Sequence, residues 1–147
     1  MQITLNKVSV MIDDILILED IDISLNQRRI GIVGCNGSGK STFLKLLNGL
    51  VIPSKGSVYV DGLDTKRKSK EIRRDVGFLF QNPDNQIIMP TVSEELLLSL
   101  NFLGFSELEK KNRLEEIINL YNLSKLIDRP SHSLSGGEKQ LLALASV

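Results

Sequence analysis

Apolar residues recur near the start of the chain at Ile3, Leu5, Val8 and Val10, and again at Ile15, Ile17, Ile21, Ile23 and Leu25. A near-period of two sends successive side chains to opposite faces, so both runs predict antiparallel strands with one wet face. RRIGIVG, Arg28 to Gly34, is different, because Ile30, Ile32 and Val33 form a short, nearly continuous apolar segment ahead of a glycine-rich turn. That pattern predicts a buried strand. GSVYVDG, residues 56 to 62, predicts a strand between glycines, and VGFLF, Val76 to Phe80, a second apolar strand ending at Gln81.

The period then lengthens. Ser41 to Leu50 predicts a helix with Phe43, Leu44, Leu46 and Leu47 on one side, stopped by Gly49 and Pro53. From Pro90 onward the pattern is helical, and Ser106 with Glu109 forms a capping box ahead of an apolar stripe at Leu114, Ile117, Ile118 and Tyr121. A last helix is predicted from Ser135–Gly136 through Leu141, Leu142, Leu144 and Ala145. Strands alternate with helices, so the fold class is α/β, and no internal repeat or low-complexity linker interrupts it.

Composition narrows the reading modestly. A chain of 147 residues is long enough for one domain with a real core, burying roughly 68–70% of its unfolded surface. Its 18 basic and 18 acidic residues, with 41% hydrophobic, describe an ordinary globular protein and no nucleic-acid partner. The basic run KRKSKEIRR, residues 66 to 74, reads as a solvated turn and helix face. Cys35 is the lone cysteine and His132 the lone histidine, a loop residue. A single thiol fits a reducing compartment, and no apolar run approaches the roughly 20 residues that span a bilayer. The N-terminus carries no signal-peptide pattern, so a cytoplasmic location is expected.

The chemistry sits in GCNGSGKST. Gly34, Gly39, Lys40 and Ser41 match the spacing of a phosphate-binding loop, with Asn36, Gly37, Ser38 and Thr42 completing it. Glycines let the backbone take positive φ and approach phosphate closely, while the following helix adds free N–H groups and the positive end of its dipole. Lys40 would reach the β and γ phosphates of ATP, Ser41 would ligate Mg2+, and Thr42 is a further donor. LSGGEKQ, Leu134 to Gln140, adds a second anion-facing helix start in Ser135, Gly136 and Gly137.

The heptad, the phosphate loop and a strand ending in Gln81 between them resemble the nucleotide-binding subunit of ABC transporters, over the whole chain. The resemblance implies a P-loop NTPase fold: an N-terminal antiparallel β subdomain, a partial parallel core and a helical subdomain. The implied organisation is one partial ATP-binding domain over 1–147, divided into 1–89 (β subdomain and core to the Q-loop), 90–134 (helical subdomain) and 135–147 (signature helix). It further implies that Ser135, Gly136, Gly137 and Glu138 face the nucleotide of a second ATPase protomer, in a homo- or heterodimer. Gln81 takes the role of the Q-loop glutamine, touching Mg2+ and the attacking water. The adenine-stacking aromatic is missing from Val10, Met11 and Ile12, leaving Ile12 to offer apolar contact.

RRIGIVG with NGSGKSTF, then RRDVGFLFQNPDNQIIMPTV, is similar to the ATPases of energy-coupling-factor transporters, the biotin module first and the cobalt or nickel modules next. In such importers a membrane-embedded coupling protein docks near the Q-loop, which makes Asp84 to Glu95 the expected docking surface on the inner face of the membrane. The family's Asp-Glu strand and switch histidine do not follow the signature here, so the chain is expected to be truncated and to bind ATP without turning it over. The core strands missing with them would leave Arg29–Val33 and Val76–Phe80 with unpaired edges and the chain prone to aggregate. The alternatives are a cytosolic ABC-type ATPase unrelated to transport and a non-catalytic ATP-binding relic. The absence of heptads between Gln81 and Leu134 favours transport over the coiled-coil DNA-repair relatives.

Overall fold

In the computed structural model, which describes residues 1–147, β1 (Ile3–Ile12) and β2 (Ile15–Leu25) form the hairpin their alternation predicts. Asp13 and Asp14 make its two-residue turn, both at positive φ (48° and 61°), the geometry whose twist matches the flanking strands. The spacing from Leu5 to Val8 breaks the period of two, yet both side chains are fully buried. A bulge reconciles them: Leu5 pairs with Ile23 and Val8 with Ile21, so β1 carries one more residue than β2 across that interval, with Lys7 at φ 46°. The next interval reverses the excess, since Val10 pairs with Leu18 and Asp20 lies at φ 45°.

β3 (Lys55–Val60) pairs antiparallel with β1, and β4 (Leu63–Asp64) with β3, closing a four-stranded sheet in the order β2-β1-β3-β4. Helix α1 (Lys40–Leu47) packs Leu46 into its buried face beside Leu5, Val8, Val58 and Ile72. Ile72 belongs to α2 (Ser69–Asp75), whose basic side chains, Lys70, Arg73 and Arg74, point outward as the solvated-face reading of KRKSKEIRR requires. Each fully buried Leu or Ile of this cluster contributes about 1.5–3 kcal/mol through removal from water. These elements form one compact unit, Met1–Gly77.

The second unit, Phe78–Val147, is helical. It contains α3 (Val92–Phe102), α4 (Glu107–Leu120) and α5 (Gly136–Ala145), with short 3-10 turns at Pro83–Asn85 and Ser131–Ser133. All three α-helices open on a full capping box: Thr91 with Glu94, Ser106 with Glu109, Ser135 with Glu138. Val92, Leu96, Leu123, Leu134, Leu142 and Ala145 form its core, and the predicted α4 stripe of Leu114, Ile117, Ile118 and Tyr121 packs against it.

The α/β class and the antiparallel sheet are as the sequence predicts, but the two expected buried strands are not strands. Arg28–Gly34 and Val76–Phe80 have no ladder partner, and the only sheet is the antiparallel one. Val33 is 93% exposed, and Ile30 and Ile32 are also open to solvent. Apolar composition supplies the tendency to be covered; a strand also needs hydrogen-bonded neighbours for its N–H and C=O groups, and neither run has one in a ladder.

Candidate nucleotide-binding site

The phosphate loop hangs between Gly34 and the first turn of α1. Gly37 (φ 79°) and Gly39 (φ 84°) both take the left-handed conformation that only glycine adopts freely. At Gly39 a side chain would also lack space, since a Cβ would stand 2.7 Å from Leu18 Cδ2 and 3.1 Å from the Ile17 carbonyl. The loop is thereby pressed onto β2. At its other end a Cβ on Gly34 would come within 2.7 Å of Ser38 Oγ, while Ser38 N–H donates to the Cys35 carbonyl at 3.3 Å. The turn over Asn36 and Gly37 is otherwise open, and nothing lies near Gly37.

Lys40 folds back over this turn, its Nζ donating to the carbonyls of Gly34 (2.8 Å) and Cys35 (2.6 Å). An ammonium has three protons, so one stays available after the loop has fixed its position. Helix α1 has no side-chain cap and no acidic residue in its first turn. The amides of Gly39, Lys40, Ser41 and Thr42 therefore find no acceptor in the chain, and the Ser41 hydroxyl is exposed beside them. Uncapped amides, one held cation and one free hydroxyl suit a polyphosphate: the donors are anion-seeking, and the Ser41 hydroxyl is a hard oxygen of the kind a divalent cation accepts. Ile12 lies at the hairpin end with Met11, Ile15 and Leu16, all exposed, so that surface is apolar without an aromatic ring.

The other expected site residues fall in the helical unit. Gln81 is exposed at a bend just ahead of the Pro83–Asn85 turn. Ser135 caps α5: its amide donates to Glu138 Oε2 at 2.7 Å and its Oγ accepts from Glu138 N–H at 3.4 Å. Gly136 and Gly137 have open space around them, and their amides are unspent. Hydrogen bonds from Ser135 hold the Glu138 carboxyl below the usual range, against an opposing effect of burial and with a lesser pull from Arg129 3.9 Å away. Glu138 is thus committed to the cap, and the two glycine amides are what the helix start offers outward. The structure groups the phosphate loop with Ile12 in one unit and Gln81 with the signature in the other.

Hydrogen bonds and an ion pair not legible in the sequence organise the segment after Gln81. Glu95 is 4% exposed, and its Oε2 accepts from the amides of Ile88 (2.9 Å) and Met89 (2.8 Å). Ser131 Oγ donates to the Met89 carbonyl at 2.8 Å, while Lys139 Nζ pairs with Asp84 at 2.7 Å. The loop is therefore pinned from both sides with Ile88 thrust outward, 71% exposed. Glu95, three residues after Val92 and next to Leu96, on the helix face that apolar residues occupy, was the available sequence signal.

Comparison with known proteins agrees with this geometry. The ABC transporter family model matches residues 18–147. A Bartonella quintana protein named for ABC transporter ATP binding is 50% identical over 145 residues, 99% of this chain and 64% of its own length. The biotin transport ATP-binding protein BioM of Rhizobium etli is 45% identical over 130 residues, 88% of this chain and 58% of its own. The chain thus spans less than two thirds of the length of these relatives. Among solved structures, cbiO1 of Clostridium perfringens, part of the ABC transporter complex cbiONQ, gives a TM-score of 0.81 at 28% identity over 98% of this chain and 59% of that one. The ATP-binding cassette MJ0796, seen as a dimer in a post-hydrolysis state with ADP and Pi, gives 0.82 at 30% identity over 98% and 68%. A phosphate loop with unspent amides, a capped signature helix and a family match over most of the sequence lead to one conclusion: the chain belongs to the ABC transporter family, as an ATP-binding domain.

Proposed function

We propose that this chain is the ATP-binding part of an ATPase subunit in an energy-coupling-factor importer, driving uptake of a vitamin, biotin first, or of a transition metal ion. The observation that carries the ATP reading is the phosphate loop, where Lys40 is anchored by two carbonyls and four amides await an acceptor. Similarity to BioM from Rhizobium etli supports biotin.

Each residue has a definite task. Gly37 and Gly39 keep the loop open to the phosphates, and Lys40 turns its third proton toward the β and γ oxygens. Ser41 would hold Mg2+ through its hydroxyl, Gln81 would take the family's Q-loop role toward that ion, and the ion would supply charge neutralisation to the phosphates. Thr42 adds a hydroxyl, Asn36 and Ser38 line the loop, and Ile12 gives the base an apolar contact. Ser135, Gly136 and Gly137 serve the nucleotide of a second protomer, with Glu138 fixing their helix start. The membrane-embedded coupling protein docks on Asp84 to Glu95, where Ile87, Ile88 and Met89 rim an open cavity of about 260 Å³ that His132 and Lys139 also line. No helix here is long and apolar enough to cross a membrane. In this reading the subunit works from the inner face of the membrane through that partner.

The test is nucleotide binding and substrate uptake by the full-length subunit assembled with its membrane partner. Lys40→Ala should weaken binding of a fluorescent ATP analogue by at least about tenfold, the loss of one charge-assisted contact, and should abolish ATP-dependent biotin uptake into vesicles. Unchanged analogue affinity would reject the ATP site; intact ATP binding without biotin uptake would reject the substrate and send the search to metal ions.

A further inference from the structure

Gln86 uses both ends of its side chain at once. Its Oε1 accepts from the amide of Phe80 at 3.2 Å, and its Nε2 donates to the Ala143 carbonyl at 2.6 Å and to Ser146 Oγ at 3.2 Å. Phe80 directly precedes Gln81, whereas Ala143 and Ser146 lie at the C-terminal end of α5, the helix that Ser135, Gly136 and Gly137 open. A second tie joins the same two segments: Asp84, two residues before Gln86, pairs with Lys139 at 2.7 Å. Lys139 and Ala143 are four apart and so share one face of α5, about one turn from each other.

Two attachments one turn apart remove the freedom to pivot that a single one leaves. Ser99 Oγ adds a bond from α3 to the Ser146 carbonyl at 2.7 Å, fixing the helix end on its other side. We infer that Gln86 is a positioning residue that makes the Gln81 segment and the signature helix move as one body, so that a displacement of Gln81 is felt at Ser135, Gly136 and Gly137. This rests on the ATPase reading and adds to it a residue, Gln86, whose side chain ties the Gln81 segment to the end of α5. An amide is required in this place, because it alone among uncharged side chains presents a donor and an acceptor side by side.

The test uses Gln86→Glu in the full-length ATPase assembled with its membrane partner. Above the carboxylate range, the introduced carboxylate would set a negative oxygen against the Ala143 carbonyl at a helix C-terminus, where the dipole is also negative. When protonated, its O–H can donate to Ala143 while its carbonyl accepts from Phe80, restoring both bonds. The charged groups on the adjoining elements are Asp84 and Lys139, paired with each other, and Glu95, bonded to the Ile88 and Met89 amides.

The expected result is a kcat at pH 8 reduced about tenfold with ATP-analogue binding unchanged, and a ratio to wild type that climbs as pH falls toward 6. A ratio that stays flat with pH, or a kcat within twofold of wild type, would overturn the inference. The ion pair gives a second route if that variant fails to assemble: Lys139→Asp should lower kcat and the added Asp84→Lys should restore it, and no restoration would count against the two-point tie. A wild-type complex that binds no ATP would instead overturn the ATPase reading, and this inference with it.

Discussion

At the scale of single residues, Gly39 is where backbone conformation and packing make the same demand. Its φ of 84° excludes a comfortable alanine, and the missing Cβ is what lets the loop lie on Leu18 and Ile17. Gly39→Ala should therefore cost about 1–3 kcal/mol, read by urea denaturation, and weaken nucleotide binding because Lys40 and the α1 amides follow the loop outward. Retained stability and affinity would mean that the contact with Leu18 is slack. Lys40 and the glycines were legible in the sequence because their chemistry is fixed by spacing. Gln86 was not, since one more amide in QNPDNQ carries no periodicity, and its partners Ala143 and Ser146 are far along the chain.

At the scale of elements, the helices were read well and the central strands were not. Helix starts are local: a serine or threonine with a glutamate three residues on satisfies amides within one turn, so Ser106–Glu109 and Ser135 could be recognised directly. Strands are collective: an apolar run such as Arg29–Val33 carries the tendency to be covered, but it becomes a strand only with a hydrogen-bonded neighbour, and the unpaired edges expected for it are what the structure has. The caps give a pH expectation. Hydrogen bonds from Ser135 depress the pKa of Glu138, so its stabilising share is complete above the unfolded value of about 4.3 and is lost as pH falls through the lower folded value. The protection factor of the amides at the first turn of α5, exchange taken relative to its intrinsic rate at each pH, should fall below about pH 4 and change little from pH 5 to 8. Ser135→Ala should raise exchange there at every pH, and an acid response that survives in that variant would place its origin elsewhere.

At the scale of the whole molecule, the two units have separate cores, one around Leu5 and Leu46 and the other around Leu96 and Leu142. Leu5→Ala and Leu96→Ala should each remove about 2–5 kcal/mol. Their costs should add when combined, because the two clusters have no residue in common; a double mutant far from additive in denaturant titrations would show the cores to be coupled. The hairpin at the chain's start has a different bearing on its length. Because Lys7 is the surplus residue between Leu5 and Val8, its removal would leave those two side chains on the same face and every later pairing intact. Removing Ser9 would bring Val8 and Val10 into sequence adjacency and turn one of them to water. Related chains can thus differ in length by one residue at the first position and not at the second, so a single-residue gap in an alignment here marks a straightened strand and not a lost one.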